Sequence, residues 1–264
     1  WKDTLSTGHL YGRVISVSGT TISYGTEKLL VAVNTTQGSI CYDSVAEKHL
    51  FAWGVGDAAV VSISGTTMSI GTASSGLGYF DAGSPSMAFD ISAGKFLFCW
   101  VSSSVMKVSV ISISGTTATI NTPVTITGAT ITVIQASYNP LAKHTSIVSV
   151  NSGSSDAQHN TVTISGTTPT ESGEVTFGAG TNSDDACGCY DITSNREVGI
   201  NAYDSNTIGF TSFKNNYTTT ATSFIGVAAA SVGDAASLTV KTITAIDTNQ
   251  TGLTTGGQYW VNFD

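Results

Sequence analysis

Carboxylates, histidines and cysteines are the residues of this 264-residue chain with chemistry to offer: 18 acids, four His and four Cys. A retaining glycosidase needs two carboxyls about 5 Å apart. The five glutamates are Glu27, Glu47, Glu171, Glu174 and Glu197, mostly beside Lys or in polar stretches. Asp184-Asp185 with Asn182 is an oxygen-rich loop of the kind that holds calcium. A solvated acidic loop is the plainer reading, as it is for Asp247, Asn249 and Gln250. Among the histidines His9, His49, His144 and His159, His49 and His144 each follow a lysine, Lys48 and Lys143. That pattern reads as inheritance within a repeat rather than as a metal constellation. No Gly-x-Ser-x-Gly nucleophile turn and no Gly-x4-Gly-Lys phosphate loop is present. No cofactor and no metal site is expected.

Cys41, Cys99, Cys187 and Cys189 are too few for a disulfide scaffold. Cys187-x-Cys189 puts both thiols on one face of a strand, where a bond between them is awkward. Buried free thiols are the expectation, with a disulfide or a metal as the lesser alternatives. The best candidate for ligand contact is the loop from Ser74 to Gly83. Its Tyr79, Phe80 and Asp81 set two aromatics beside an acid on a glycine-rich segment, suited to stacking on a sugar ring. Aromatics in such a loop more often tuck into a core.

These residues sit in a chain of low charge. Only 11% of residues are charged, the net charge is −8, and 41% are hydrophobic. That supports a real core and is not a disordered composition. Two arginines and eight scattered lysines form no basic run, which argues against nucleic acid and anionic lipid as partners. No stretch approaches the ~18 apolar residues of a spanning helix. The chain begins at Trp1 without a signal pattern, and Tyr259–Asp264 reads as a strand that stops abruptly. A longer parent chain is expected.

The elements that must position these residues come in repeats. Ser-Gly-Thr-Thr recurs from Ser18, Ser64, Ser114 and Ser165, at spacings of 46, 50 and 51. An aromatic–acid marker follows each copy: Tyr42-Asp43, Phe89-Asp90, Tyr138-Asn139 and Tyr190-Asp191. Two markers drifting together at this period are the signature of repeated small sheets. Ser-Gly makes a tight hairpin, and the threonines favour the strand that leaves it. Leu50-Phe51-Ala52-Trp53 and Phe96-Leu97-Phe98-Cys99-Trp100 read as strands buried on both faces.

The expected architecture is all-β: β-propeller-like repeats with four clear four-stranded blades and a possible fifth. The blades are expected at 9–56, 57–105, 106–156 and 157–205, with a degenerate fifth beginning at Thr207. A repeat domain of 1–223 then precedes a small C-terminal β module at 224–264. A parallel β-helix is the rival, but it would not need two hairpin turns in each repeat.

The marker followed by Trp53 or Trp100 resembles the Asp-box of sialidases. That box ends in Gly-x-Thr-Trp, which is absent, and sialidase chemistry needs three arginines where this chain has two. Val17-Ser18-Gly19-Thr20-Thr21-Ile22-Ser23-Tyr24-Gly25-Thr26, followed by Ile40-Cys41-Tyr42-Asp43-Ser44, resembles the propeller-type repeats of structural proteins of marine tailed bacteriophages. Phe224-Ile225-Gly226, Gln250-Thr251-Gly252-Leu253-Thr254, Gly257 and Tyr259-Trp260-Val261 are similar to the segment that follows such repeats in tail or fibre proteins. The resemblance implies a non-enzymatic component on the outside of a virion, as fibre, spike or decoration, for host adhesion or assembly. It implies other virion proteins as partners, a possible host-surface glycan, and a homo-oligomer. It supplies no catalytic residue. A carbohydrate-binding propeller and a polysaccharide-degrading tailspike are the alternatives.

Overall fold

The computed structural model describes residues 9–32, 37–80, 82–127, 131–178, 186–193, 196–204 and 207–214, with Val227–Ala228 and Val240–Lys241. The described residues hold strands and no helix. Contacts divide the chain into two compact units, Trp1–Asn215 and Asn216–Asp264.

The first unit begins with two short antiparallel pairs. β1 (Leu10–Gly12) pairs with β4 (Lys28–Val31), and β2 (Ile15–Ser18) with β3 (Thr21–Tyr24). The second sheet runs β5 (Gly38–Asp43), β6 (Lys48–Trp53), β7 (Asp57–Ser64), β8 (Thr67–Ile70), with β9 (Ser74–Ser75) also on β7. The third runs β10 (Ala82–Asp90), β11 (Lys95–Ser102), β12 (Val105–Ser114), β13 (Thr117–Ile120), with β14 (Val124–Thr127) also on β12. The fourth is β15 (Ile131–Asn139), β16 (His144–Asn151), β17 (Asp156–Ser165) and β18 (Thr168–Gly178). The fifth has three described strands, β19 (Ala186–Asp191), β20 (Arg196–Asp204) and β21 (Thr207–Lys214). In the second unit, β22 (Val227–Ala228) pairs with β23 (Val240–Lys241).

All described pairings are antiparallel, and the second to fifth sheets follow the chain as meanders, so the first unit is built from β-propeller-like blades. β8 with β9, and β13 with β14, each act as one interrupted outer strand. β18 is the unbroken version of the same strand.

The phase of the repeat differs from the expected one. The second, third and fourth sheets each open with the aromatic–acid strand and close after the Ser-Gly-Thr-Thr hairpin, so the sheets do not run 9–56, 57–105, 106–156 and 157–205. Connection lengths explain this. The link Gly54-Val55-Gly56 is a tight turn with Gly56 at φ 89°, and its N–H donates to the Trp53 carbonyl at 3.0 Å. It keeps β6 and β7 in one sheet. The longer stretch after Ile70 carries the chain to the next sheet. Thr207–Lys214 is accordingly the third strand of the last blade, not the start of a new one.

The Ser-Gly turn behaves as expected. Gly19, Gly65, Gly115 and Gly166 all sit at φ 58–60°. A two-residue hairpin with glycine first matches the twist of its strands.

Successive sheets bury apolar faces against each other. Leu50, Ala52 and Val60 meet Phe89, Phe96, Phe98, Trp100 and Ile111. Leu97, Cys99, Val108 and Val110 meet Ile131, Ile134, Ala136, Ile147 and Val162. Both faces of β11 are therefore covered, which accounts for its continuous apolar run. Each large side chain so buried stabilises by about 1.5–3 kcal/mol. The innermost strands β5, β10, β15 and β19 also contact one another in that order.

Candidate functional site

The marker acids are turn caps. One Asp43 carboxylate oxygen accepts the N–H groups of Val45 and Ala46 at 2.8 and 2.9 Å. Asp90 accepts from Ser92 and Ala93, both at 2.9 Å. Asn139 does the same for Leu141 and Ala142 at 3.1 and 3.0 Å, and Asp191 accepts from Thr193 at 2.9 Å. Each is an Asx turn, where a short polar side chain closes the hairpin on its own backbone. The residue facing the marker is Lys48, Lys95, His144 or Arg196 in the four blades. His144 thus stands where the other blades carry a cation. His49 lies one position further on, so the two histidines are not equivalent.

One cluster of titratable groups crosses between sheets. Glu197 on β20 is 2% exposed and reaches the fourth sheet. Its Oε1 lies 2.7 Å from His144 Nε2 and accepts from Asn139 Nδ2 at 3.1 Å. Its Oε2 lies 2.6 Å from His159 Nε2. Ser146 Oγ also contacts His159 Nε2. Burial raises the Glu197 carboxyl, but hydrogen bonds from His144, His159, Ser146 and Asn139 outweigh it and hold the group well below the usual carboxylate range.

Serine, histidine and acid are therefore assembled, yet not as a nucleophilic relay. Such a relay needs hydroxyl and carboxylate on opposite ring nitrogens. Here both address the same Nε2 of His159. The arrangement can bridge two sheets electrostatically. Sequence reading missed it because its members lie far apart in the chain. A signal was available: at positions equivalent to Leu50 and Leu97 the fourth sheet carries Ser146, and Glu197 stands where Phe96 does.

The three loop residues separate. Phe80 is 3% exposed and packs on the rings of Phe98 and Trp100 at 5.2 and 5.9 Å. It is a core residue, as aromatics in such loops more often are, and its ring is not available to a ligand. Tyr79 is 66% exposed. Asp81 lies outside the described residues, as do Asn182, Asp184, Asp185, Asp247, Asn249 and Gln250.

The cysteines are free, and their burial differs from the expectation. Cys99 is buried and its thiol is pushed up by desolvation. Cys41 is half-buried and likewise raised, mainly by burial. Cys187 and Cys189 are exposed, side by side on one face of β19. No cluster of three or more metal-ligating residues occurs among the described residues.

A concavity of about 490 Å³ lies on the first strand pairs, lined by Tyr11, Gly12, Arg13, Ile15 and Tyr24. Arg13 is bridged to Glu27 at 3.2 Å on the surface.

No family model and no curated protein matches the chain. Among solved structures, a crystal structure of a nidogen/laminin complex is similar at 10% identity. The match covers 74% of this chain and 72% of that one, with a TM-score of 0.43.

Proposed function

We propose that this chain is a non-enzymatic structural protein of a bacteriophage particle, exposed on its exterior as fibre, spike or decoration. Its role there is adhesion to the host surface or assembly of the particle. The observation that carries this reading is the use of its chemistry-bearing side chains. The marker acids cap hairpins, and the Glu197 cluster is buried between two sheets. What remains outward is a low-charge surface of Thr-rich hairpins, in keeping with the repeats that the sequence resembles. Labelling intact particles with antibody against this chain, followed by electron microscopy, tests it. Label on the particle exterior is expected. Its absence from particles whose preparation contains the chain would overturn the reading.

A carbohydrate-binding role is the second reading, favoured by Tyr79 standing exposed on its glycine-rich loop. A glycan array probed with the native chain and with Tyr79→Ala separates the two. Binding that Tyr79→Ala abolishes supports the sugar site.

A further inference from the structure

Each blade has a front face, turned to the sheet before it, and a back face, turned to the sheet after it. Aligning the Ser-Gly-Thr-Thr turns puts Ile15 in register with Val61, Ile111 and Val162. Those three are fully buried at 0%, whereas Ile15 is 60% exposed. Ile22 aligns with Met68 and Ala118, and Tyr24, paired with Ile15, aligns with Ile70 and Ile120. Met68 and Ile70 pack in the cluster of Leu10, Leu30 and Val31, and Ala118 and Ile120 in that of Leu50 and Val60. Ile22 and Tyr24 are 56% and 63% exposed. The first strand pairs therefore show the front face of a blade with no sheet over it among the described residues.

The opposite end of the unit shows the complementary face. Aligning the marker acids puts Val198 with Leu50, Leu97 and Ser146, and Ile200 with Ala52, Cys99 and Val148. All six equivalents are at most 3% exposed. Val198 and Ile200 are only half-buried, and across the sheet from them stand the exposed Cys189 and Cys187. This is a back face of small and aliphatic residues with nothing described beyond it. Twice within the chain, between the second and third sheets and between the third and fourth, a back face of this kind covers a front face of that kind.

We propose that the front face formed by Ile15, Ile22 and Tyr24 is covered by the β19–β20 back face of a second copy of this chain, in a head-to-tail contact. The occupant follows from continuity with the internal interfaces, since the same pair of faces is already packed in the same register between neighbouring blades. An exposed apolar patch of this type marks an association site. Unlike faces make the contact heterologous, so copies form a ring or an open row rather than an isologous dimer. The concavity at Tyr11 and Arg13 belongs to this patch. It lies where the other blades carry their second strand. The proposal concerns self-association and holds whether or not the chain belongs to a virion.

Sedimentation of the full chain across a wide concentration range tests it. The native chain is expected to pass from the mass of one copy to two or more. Ile15→Lys with Tyr24→Glu is expected to stay at one copy. Both sites are exposed and the opposite charges face each other, so the hairpin is retained. A native chain that remains one copy throughout, or association that the double variant leaves intact, overturns the proposal. A second arm joins Ile15→Cys to Cys187 or Cys189 with a bifunctional thiol reagent. Covalent products of two chains support the contact. Linkage within one chain, meaning that the two faces meet in the same molecule, overturns it.

Discussion

The seam between the second and third sheets and the seam between the fourth and fifth occupy the same place in the repeat and are built from opposite materials. The first is apolar and aromatic: Phe96, Phe98 and Trp100 lie against Leu50, Ala52 and Val60. The second keeps only a small apolar cluster of Val148, Val150, Ala157 and Ala186, and joins it to a carboxylate held by two histidines, a serine and an asparagine. The backbone register is conserved while its side chains change class. A blade interface can therefore be built around a hydrogen-bonded polar cluster as well as from apolar faces. A buried carboxylate is weak evidence for net stability, yet removing one of its hydrogen-bond partners is costly. The polar seam is the one that pH reaches.

The sharpest break of the comparison is in the apolar seam. Phe98→Ala leaves a void among Phe80, Trp100 and their neighbours, and is expected to lower stability by about 3–5 kcal/mol in chemical denaturation. In the polar seam, Glu197→Gln keeps the shape and removes the charge, with an expected cost of about 1–3 kcal/mol. It also predicts a pH signature. The Glu197 carboxyl lies below its ordinary 4.5 in the folded chain. Its stabilisation is therefore complete above pH 4.5 and is lost progressively as pH falls below that value. Stability measured from pH 6 downward should show this slope in the native chain, and a weaker one in Glu197→Gln. A slope equal in both would remove Glu197 from the account.

Smaller effects sharpen the shared frame. At Gly71 a Cβ would stand 2.2 Å from the Thr116 carbonyl oxygen, and at Gly25 one would stand 2.2 Å from that of Thr66. Each glycine lets one repeat lie on the hairpin of the next. Gly71→Ala is expected to cost about 1–3 kcal/mol, since backbone must shift. Asp90→Ala frees the N–H groups of Ser92 and Ala93 and is expected to cost about 1–2 kcal/mol, as for a lost cap. Tyr79→Ala should change the thermal midpoint least, by the equivalent of about 0.5 kcal/mol or less, because its ring is exposed.

Much of this was legible in the residues. The two markers gave the period, the Ser-Gly turns and the buried double-faced strands β6 and β11, because these rest on local turn chemistry and on side-chain alternation. The phase was not legible, since both hairpins in a repeat look alike in a list of residues. Only the short Gly54-Val55-Gly56 link against the long stretch after Ile70 distinguishes a turn within a sheet from a crossing between sheets. The Glu197 cluster escaped for a different reason. Its contacts span 38 to 58 residues, and only alignment of the repeats shows a carboxylate standing where another blade has a phenylalanine. Phe80 and Tyr79 are neighbours of similar chemistry, and only packing assigns one to the core and the other to solvent. Cys187 and Cys189 share a face as their spacing implies, but the face is one that no described sheet covers.

Backbone contacts across β6 tell most directly where a blade begins. In the folded chain Leu50 pairs with Val60 and Cys41 with Leu50, so β5, β6 and β7 are consecutive strands of one sheet. Nuclear Overhauser contacts between the backbone protons of Leu50 and those of both Cys41 and Val60 are predicted. Contacts of Leu50 to Cys41 alone, with β7 paired elsewhere, would put the sheet boundary at Gly54–Gly56 and contradict the arrangement of blades described above.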